Sequence, residues 1–509
     1  MTGDSGAPGT LDGVLAGHLR DRPDANLLIA PETGRTLSFG ELDRQVELLR
    51  RFARTKGLAP GDTIALFLSN GYQTATLFLA AMTAGFIVAP LNLLARRGQL
   101  ASVLAHCEAR LVITCRPHDE TLAQALQTLP HPPAVIVIDV DAPSIFDDEL
   151  PAAAEPKHQP QPGDTALLMY TSGTTGAPKG ALLSHANLLA AATTVAAWHA
   201  LGPQDRVLSS LPLYHINGQV IATLAPFVSG GSIVAPHRFS ISQWWGLVET
   251  YRCTWINMVP TIIAYLLNAA GPEPRHFPGL RFGRSASAPL PPAHHQAFEQ
   301  RFGIPVIEAM GMTECASIVF CNPHDVRRRY GSPGLPCGVE AGIIDAAGRS
   351  LGVGEAGEIV LRGPNVMTGY FKDPVKTAEA IDADGWLHSG DLGTRDADGF
   401  YFITGRLKEL IIKGGENIAP REIDEVLLRH PAVLEAAAFA IADANYGQDV
   451  AVAVIAKPGV AIEVAALRAW CLEELGPYKT PRCWHVVEEL PKGPSGKVQR
   501  LKLAEVLSK

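Results

Sequence analysis

Cysteine pairs are missing from this sequence. The eight cysteines (Cys107, Cys115, Cys253, Cys315, Cys321, Cys337, Cys471 and Cys483) are scattered, and no two stand as Cys-x-x-Cys. A zinc site or dithiol redox motif has no support, and the thiols read as reduced and buried. A membrane-length apolar run is missing too. The most apolar stretch, 74–88, is about half a span and stops at Pro90, so it reads as a buried helix feeding a strand. Positive charge is in deficit: 43 Lys and Arg against 51 Asp and Glu give a net charge of -8, which argues against nucleic acid as a partner. The first residues are acidic and rich in Gly and Pro, with no basic start and apolar run. A secretory signal is therefore not expected, and the expected compartment is the cytoplasm. Internal repeats, heptads and low-complexity tracts are also lacking.

What is present is an ordinary globular composition, 47% hydrophobic and 18% charged, over 509 residues. That length exceeds one core, so two or more domains are expected. Short apolar runs at 64–68, 111–114, 134–140 and 166–170 read as buried strands, with Ala- and Leu-rich segments between them. The alternation predicts an α/β fold with parallel sheets covered by helices. Residues 151–164 are Pro-rich and polar and read as a loop. The last hundred residues differ. Pro420 opens a helix with Ile423, Val426, Leu427 and His430 on one face; 450–456 reads as a strand; Leu467, Cys471 and Leu475 recur at helical spacing. A small α+β unit fits. The large domain is placed at 1–405 and the small one at 406–509.

The segment Tyr170-Thr171-Ser172-Gly173-Thr174-Thr175-Gly176-Ala177-Pro178-Lys179-Gly180 carries the chemistry. It follows a predicted strand and precedes a helix that starts near Ser184. Small hydroxyl residues and glycines let backbone N–H groups wrap a phosphate closely, and Lys179 adds a point charge. The spacing is not the Walker pattern.

This segment resembles the signature loop of the adenylate-forming superfamily of acyl-CoA synthetases, peptide-synthetase adenylation domains and luciferases. Further segments match in the same order: 211–215 ending at His215, 311–314 ending at Glu314, 386–391 ending at Asp391, 405–409, 413–418 and 494–498. The resemblance runs from about residue 30 onward. It implies a large multi-sheet domain and a small mobile one, with an acid activated as its acyl-adenylate and passed to a thiol. It assigns Thr171, Ser172, Gly173, Thr174, Thr175 and Lys179 to the pyrophosphate end of ATP. Met310, Gly311, Met312 and Thr313 go to the adenine segment, and Asp391 with Arg406 to the ribose. Glu314 goes to Mg²⁺, a hard cation suited to carboxylate and phosphate oxygen. Lys413, Gly414 and Gly415 go to the thiol tunnel and Lys408 to the hinge. Lys497, Thr174, Glu314 and His215 are the implied catalytic set, because adenylation builds negative charge that cations and fixed donors must meet. Taken alone, several of these residues have plainer roles. Glu314 could cap a helix, Lys497 could be a solvated tail charge, and His185 follows Ser184, which reads first as a helix cap. One position departs from the family: Met310 stands where an aromatic usually stacks on adenine, leaving thioether packing instead of stacking.

The implied acid pocket comprises His215, Asn217, Gly218, Ser285, Ala286, Ser287, Met310 and Gly311, with Asn257, Met258, Thr261 and Met312 nearby. The resemblance implies an acidic residue shortly after His215 in amino-acid-activating members; the stretch 214–219 has none, which favours an acid without an α-amine. The pocket is polar, so a short, polar or aromatic acid is expected. Arg284 hints at an anionic or hydrogen-bonding substrate, and equally could anchor a loop carbonyl. The expected substrates are the acid, ATP and CoA, since no carrier domain is seen after Lys497. A separate carrier protein or an amine remains an alternative acceptor, and a non-carboxylate oxyanion an alternative substrate. A luciferase-like oxygenase or a silent binding module is the reading from another class. Monomer and homodimer are both open.

Overall fold

The computed structural model describes residues 9–146, 158–171, 178–269, 277–492 and 498–507. Among the described residues the strands form four sheets. One has seven strands. Its core is parallel, with Thr63–Phe67 between Ile87–Pro90 and Leu111–Cys115. The second has nine strands. Its central members, Arg206–Leu208, Trp255–Met258, Phe282–Ser285 and Val306–Met310, also run parallel. The helix Tyr72–Thr83 is buried along its whole length. A helix that is apolar all round can only sit inside a large core, which is why the 74–88 run reads as it does. It leads into Ile87–Pro90, and one hydrophobic cluster joins the two sheets. A third, antiparallel sheet pairs Glu340–Ile344, Gly357–Arg362, Leu387–Arg395 and Tyr401–Arg406.

The smaller C-terminal domain has its own sheet. Gly447–Ala456 lies between Val433–Asp443 and Cys483–Val486 and also meets Ile411–Lys413. The helices Pro420–Leu428 and Val464–Lys479 contribute Ile423, Val426, Leu427, Leu467 and Cys471 to its core. The fold is therefore α/β with a large multi-sheet domain and a smaller α+β one.

Three local expectations change. Ala134–Ile138 is an edge strand with Val135 and Val137 exposed, not a buried one; hydrophobicity alone does not distinguish an edge from a centre. His430 lies past the end of its helix, which stops at Leu428, and meets Trp470 edge-on at 5.5 Å. Between Lys179 and the helix at Ser184 the chain forms another strand, Lys179–Ser184, antiparallel to Thr165–Thr171. The Ser184 cap itself is present as a capping box with Asn187. All eight cysteines are free and seven are buried. Among the described residues no helix is long and apolar enough to cross a membrane.

Candidate active site

The parallel strands Trp255–Met258, Phe282–Ser285 and Val306–Met310 end side by side. Crevices in open α/β sheets form beyond such carboxyl ends. A cavity of about 270 Å³ opens there, and its lining includes Ser287, Met310, Gly311, Asp391, Arg406, Arg421, Asp424 and Arg500.

Gly311 follows Met310 at a turn that doubles back on itself. A Cβ at Gly311 would lie 1.3 Å from the Ser317 carbonyl oxygen, so no other residue fits without moving the turn. Met312 and Thr313 lead into a single 3₁₀ turn, Thr313–Cys315, which holds Glu314. Glu314 Oε1 accepts a hydrogen bond from the Tyr370 hydroxyl at 2.9 Å. Lys179 Nζ lies 5.4 Å from the centre of the Tyr370 ring. Burial and the Glu314 charge push the Tyr370 hydroxyl pKa up, so it stays a donor. Lys179 pairs in register with Thr171, so the loop between them starts and ends beside this cluster. Ser172, Gly173, Thr174 and Thr175 lie outside the described residues, as does Lys497.

Asp391 and Arg406 are cross-strand partners. Asp391 is buried, and Arg406 Nε lies 2.8 Å from its Oδ1. Both carboxylate oxygens are thus held at the edge of the cavity, where they can accept from a diol.

Beneath the groove lies a polar layer. Asn217 begins the π-helix Asn217–Leu224, next to Gly218, whose position leaves no room for a Cβ against the Pro212 carbonyl. Asn217 Nδ2 donates to Ser287 Oγ at 3.0 Å, and its Oδ1 accepts from Asn257 Nδ2 at 3.1 Å and Arg284 Nη1 at 3.4 Å. Ser285 and Ala286 are buried in the same layer. His215 precedes it, tilted against Tyr214 with ring centres 4.7 Å apart; it does not line the cavity. His185 is structural: it is buried, its Nδ1 accepts from the Leu11 amide, and burial pushes its pKa down to about 4.

Sequence reasoning missed Tyr370 and Glu308. Tyr370 comes from a two-residue strand, Gly369–Tyr370, that pairs with Lys179–Ser184. Glu308 is buried, two residues before Met310, and accepts from the Leu290 amide at 3.0 Å. Burial pushes its pKa up to about 7. The only sequence signal for Glu308 was a lone acid inside an apolar strand.

Lys413, Gly414 and Gly415 lie away from the cavity. Gly414 and Gly415 make the hairpin turn between Ile411–Lys413 and Glu416–Ile418, both with positive φ. Lys413 is buried, 2.6 Å from Asp449 and flanked by the rings of Tyr446 and Tyr478. Lys408 is exposed in the 3₁₀ turn Leu407–Glu409. Arg500 Nε meets Glu409 at 3.2 Å and also pairs with Asp424.

The family model described as AMP-binding enzyme matches residues 15–371, and the AMP-binding enzyme C-terminal domain matches 422–497. A sulfoacetate-CoA ligase of Cupriavidus necator is 52% identical over 97% of both chains. An oxalate-CoA ligase of Arabidopsis thaliana is 33% identical over 97% of this chain and 98% of its own. Among solved structures, ATP-bound MatB from Rhodopseudomonas palustris superposes with a TM-score of 0.90 at 29% identity, over 99% of both chains. The apo form of the same protein gives 0.78, with the same identity and coverage.

Proposed function

This chain belongs to the AMP-binding enzyme family, and from that membership we propose that the acid it activates is short and carries a second anionic group. The enzyme is an ATP-dependent acid-CoA ligase: it converts a carboxylic acid to its acyl-adenylate and transfers the acyl group to CoA. The observation that carries the choice of acid is the 52% identity to a sulfoacetate-CoA ligase along nearly the whole chain. An oxalate-CoA ligase follows at 33%. Sulfoacetate and oxalate each place two anionic groups on a two-carbon frame. The polar layer under the groove supports such an acid over a long apolar one.

The residues divide the work as follows. The acid's carboxylate attacks the α-phosphorus and pyrophosphate leaves in line. Lys179 and the loop 171–175, Thr174 included, cradle the leaving pyrophosphate. Asp391, fixed by Arg406, accepts from the ribose hydroxyls. Met310, Gly311, Met312 and Thr313 seat the adenine. Lys497 bridges carboxylate and phosphate as charge builds between them. His215 closes the acid side through the turn that starts the Asn217 helix. Among the described residues no group of three or more candidate ligands could by itself hold a metal. A lone carboxylate still fits Mg²⁺, which usually takes one or two carboxylates plus phosphate oxygens. Glu314, oriented by Tyr370, would hold it there, and the bound ion would neutralise charge on the phosphates.

The small domain begins just past Gly405, and Lys408 is its hinge. Lys492, Val498 and Arg500, which flank Lys497, line the cavity, while the turn at Gly414 and Gly415 does not. This arrangement supports an adenylating state, as does the higher TM-score to the ATP-bound relative than to its apo form. Rotation about Lys408 would then bring Lys413, Gly414 and Gly415 round as the thiol tunnel.

The test is CoA-dependent AMP release across a panel of acids. Sulfoacetate or oxalate should exceed acetate, butyrate and benzoate in kcat/KM by at least about a hundredfold, as expected where a site pairs a polar group the analogue lacks. A panel led by a simple monoacid would refute the reading.

A further inference from the structure

The strand Phe282–Ser285 carries a guanidinium into the core, and among the described residues nothing anionic meets it. Arg284 is 0% exposed. Its one hydrogen bond runs from Nη1 to Asn217 Oδ1 at 3.4 Å, while Nε and Nη2 find no partner among the described residues. Those two nitrogens form the side-on pair that a carboxylate would meet in an ordinary buried ion pair. The ionisable groups that feel the charge are the thiols of Cys321 and Cys337 and the imidazole of His199. His199 is held neutral by burial, and its Nδ1 is hydrogen-bonded to His324 at 2.8 Å. None of these is a counter-ion at neutral pH. A buried charge without one is costly, so a fold that keeps it without structural return points to a ligand.

The polar neighbours make the same case. Among the described residues, Asn257, in register with Arg284 on the adjacent strand, leaves its Oδ1 unpartnered, and so does the fully buried Ser285 with its Oγ. Asn217 ties this layer to the cavity through Ser287, which lines the groove in a left-handed conformation at φ 76°. The charge therefore lies one hydrogen-bonded side chain behind a cavity wall, in a medium that screens it little.

We infer that Arg284 supplies the counter-charge for the acid's second anionic group, a sulfonate or carboxylate, and that Asn217 and Ser287 present this charge to the groove. Arg284 is thus a specificity-determining residue, outside the adenylating machinery at Lys179, Glu314, Asp391 and Lys497. The inference rests on the reading that the acid is doubly anionic.

The experiment measures kcat/KM for sulfoacetate and for acetate in CoA-dependent AMP release, using the full chain. In Arg284→Met the ratio of the two should fall by about tenfold or more, the loss expected when a poorly screened buried counter-charge goes. Arg284→Lys should retain part of the preference. The Met variant should melt at or above the wild-type temperature without ligand, because an uncompensated buried charge has gone. Asn217→Asp gives a second route: it neutralises the guanidinium in place and keeps the side-chain shape, and it should lower the ratio too. Wild type selective for sulfoacetate with the ratio unchanged in Arg284→Met or Asn217→Asp would overturn the assignment of Arg284 alone. Wild type without that selectivity would overturn the doubly anionic reading itself.

Discussion

Asp391 and Glu308 are acids in one groove with opposite physics. Asp391 is met by Arg406 at 2.8 Å, and its proposed role is to accept from the ribose. Asp391→Ala should raise the KM for ATP in pyrophosphate exchange about tenfold or more, since a charged hydrogen bond contributes roughly 1.5–3 kcal/mol. An unchanged KM would remove Asp391 from the ribose site. Glu308 has one amide donor, and burial lifts its pKa from 4.5 to about 7. The folded state therefore holds a proton that the unfolded state has released between about pH 4.5 and 7. Its contribution to stability is present at low pH and is lost as pH rises through that window. Glu308→Gln should remove this slope, so its melting temperature should gain on wild type from pH 5 to pH 8. Parallel melting curves at every pH would mean that Glu308 is ionised throughout. Asp391 was legible because it closes a recognisable segment. Glu308 and Tyr370 were not, because what matters in each is burial and a partner far along the chain: Leu290 for one, Glu314 for the other.

At the scale of elements, the sequence speaks where local patterns decide. The run at 74–88 is apolar on every side and became a fully buried helix and a strand. Ser184 and Asn187 have capping-box chemistry and form that cap. It is silent where partners decide. Nothing local in 134–138 shows that the strand is an edge, and nothing local shows that a strand against Thr165–Thr171 fills 179–184 before the Ser184 cap. The π-helix at Asn217–Leu224, which sets Asn217 under the groove, is likewise invisible to a 3.6-residue period. The turn at Gly311 is a stricter case. It packs against the Ser317 carbonyl with no space for a methyl group. Gly311→Ala should displace the 3₁₀ turn that carries Glu314, lowering adenylation by about tenfold or more and stability by roughly 1–3 kcal/mol. Full activity and unaltered melting in this variant would show that the turn yields freely.

For the whole molecule, the small domain carries two segments that one orientation does not bring to the cavity together. The flanks of Lys497 line it, and the Gly414–Gly415 turn stays outside. Arg500, three residues after Lys497, reaches Glu409 beside Lys408 and Asp424 on the helix Pro420–Leu428. Arg500 thereby ties the helix Arg500–Leu507 to the turn that holds Lys408. Lys408 itself is exposed in a 3₁₀ turn, a conformation whose φ a proline can adopt. Lys408→Pro should hold the present orientation. Pyrophosphate exchange should survive, while thioester formation from supplied acyl-adenylate should fall by about a hundredfold or more, as for an enzyme denied its closing motion. Lys497→Ala should do the opposite, losing the adenylate but sparing the thioester step. The two half-reactions can be assayed apart, with labelled pyrophosphate for the first and CoA acylation for the second. Equal loss of both half-reactions in both variants would mean that one fixed arrangement serves the whole cycle. A clean exchange of defects between the two variants requires the small domain to turn about Lys408.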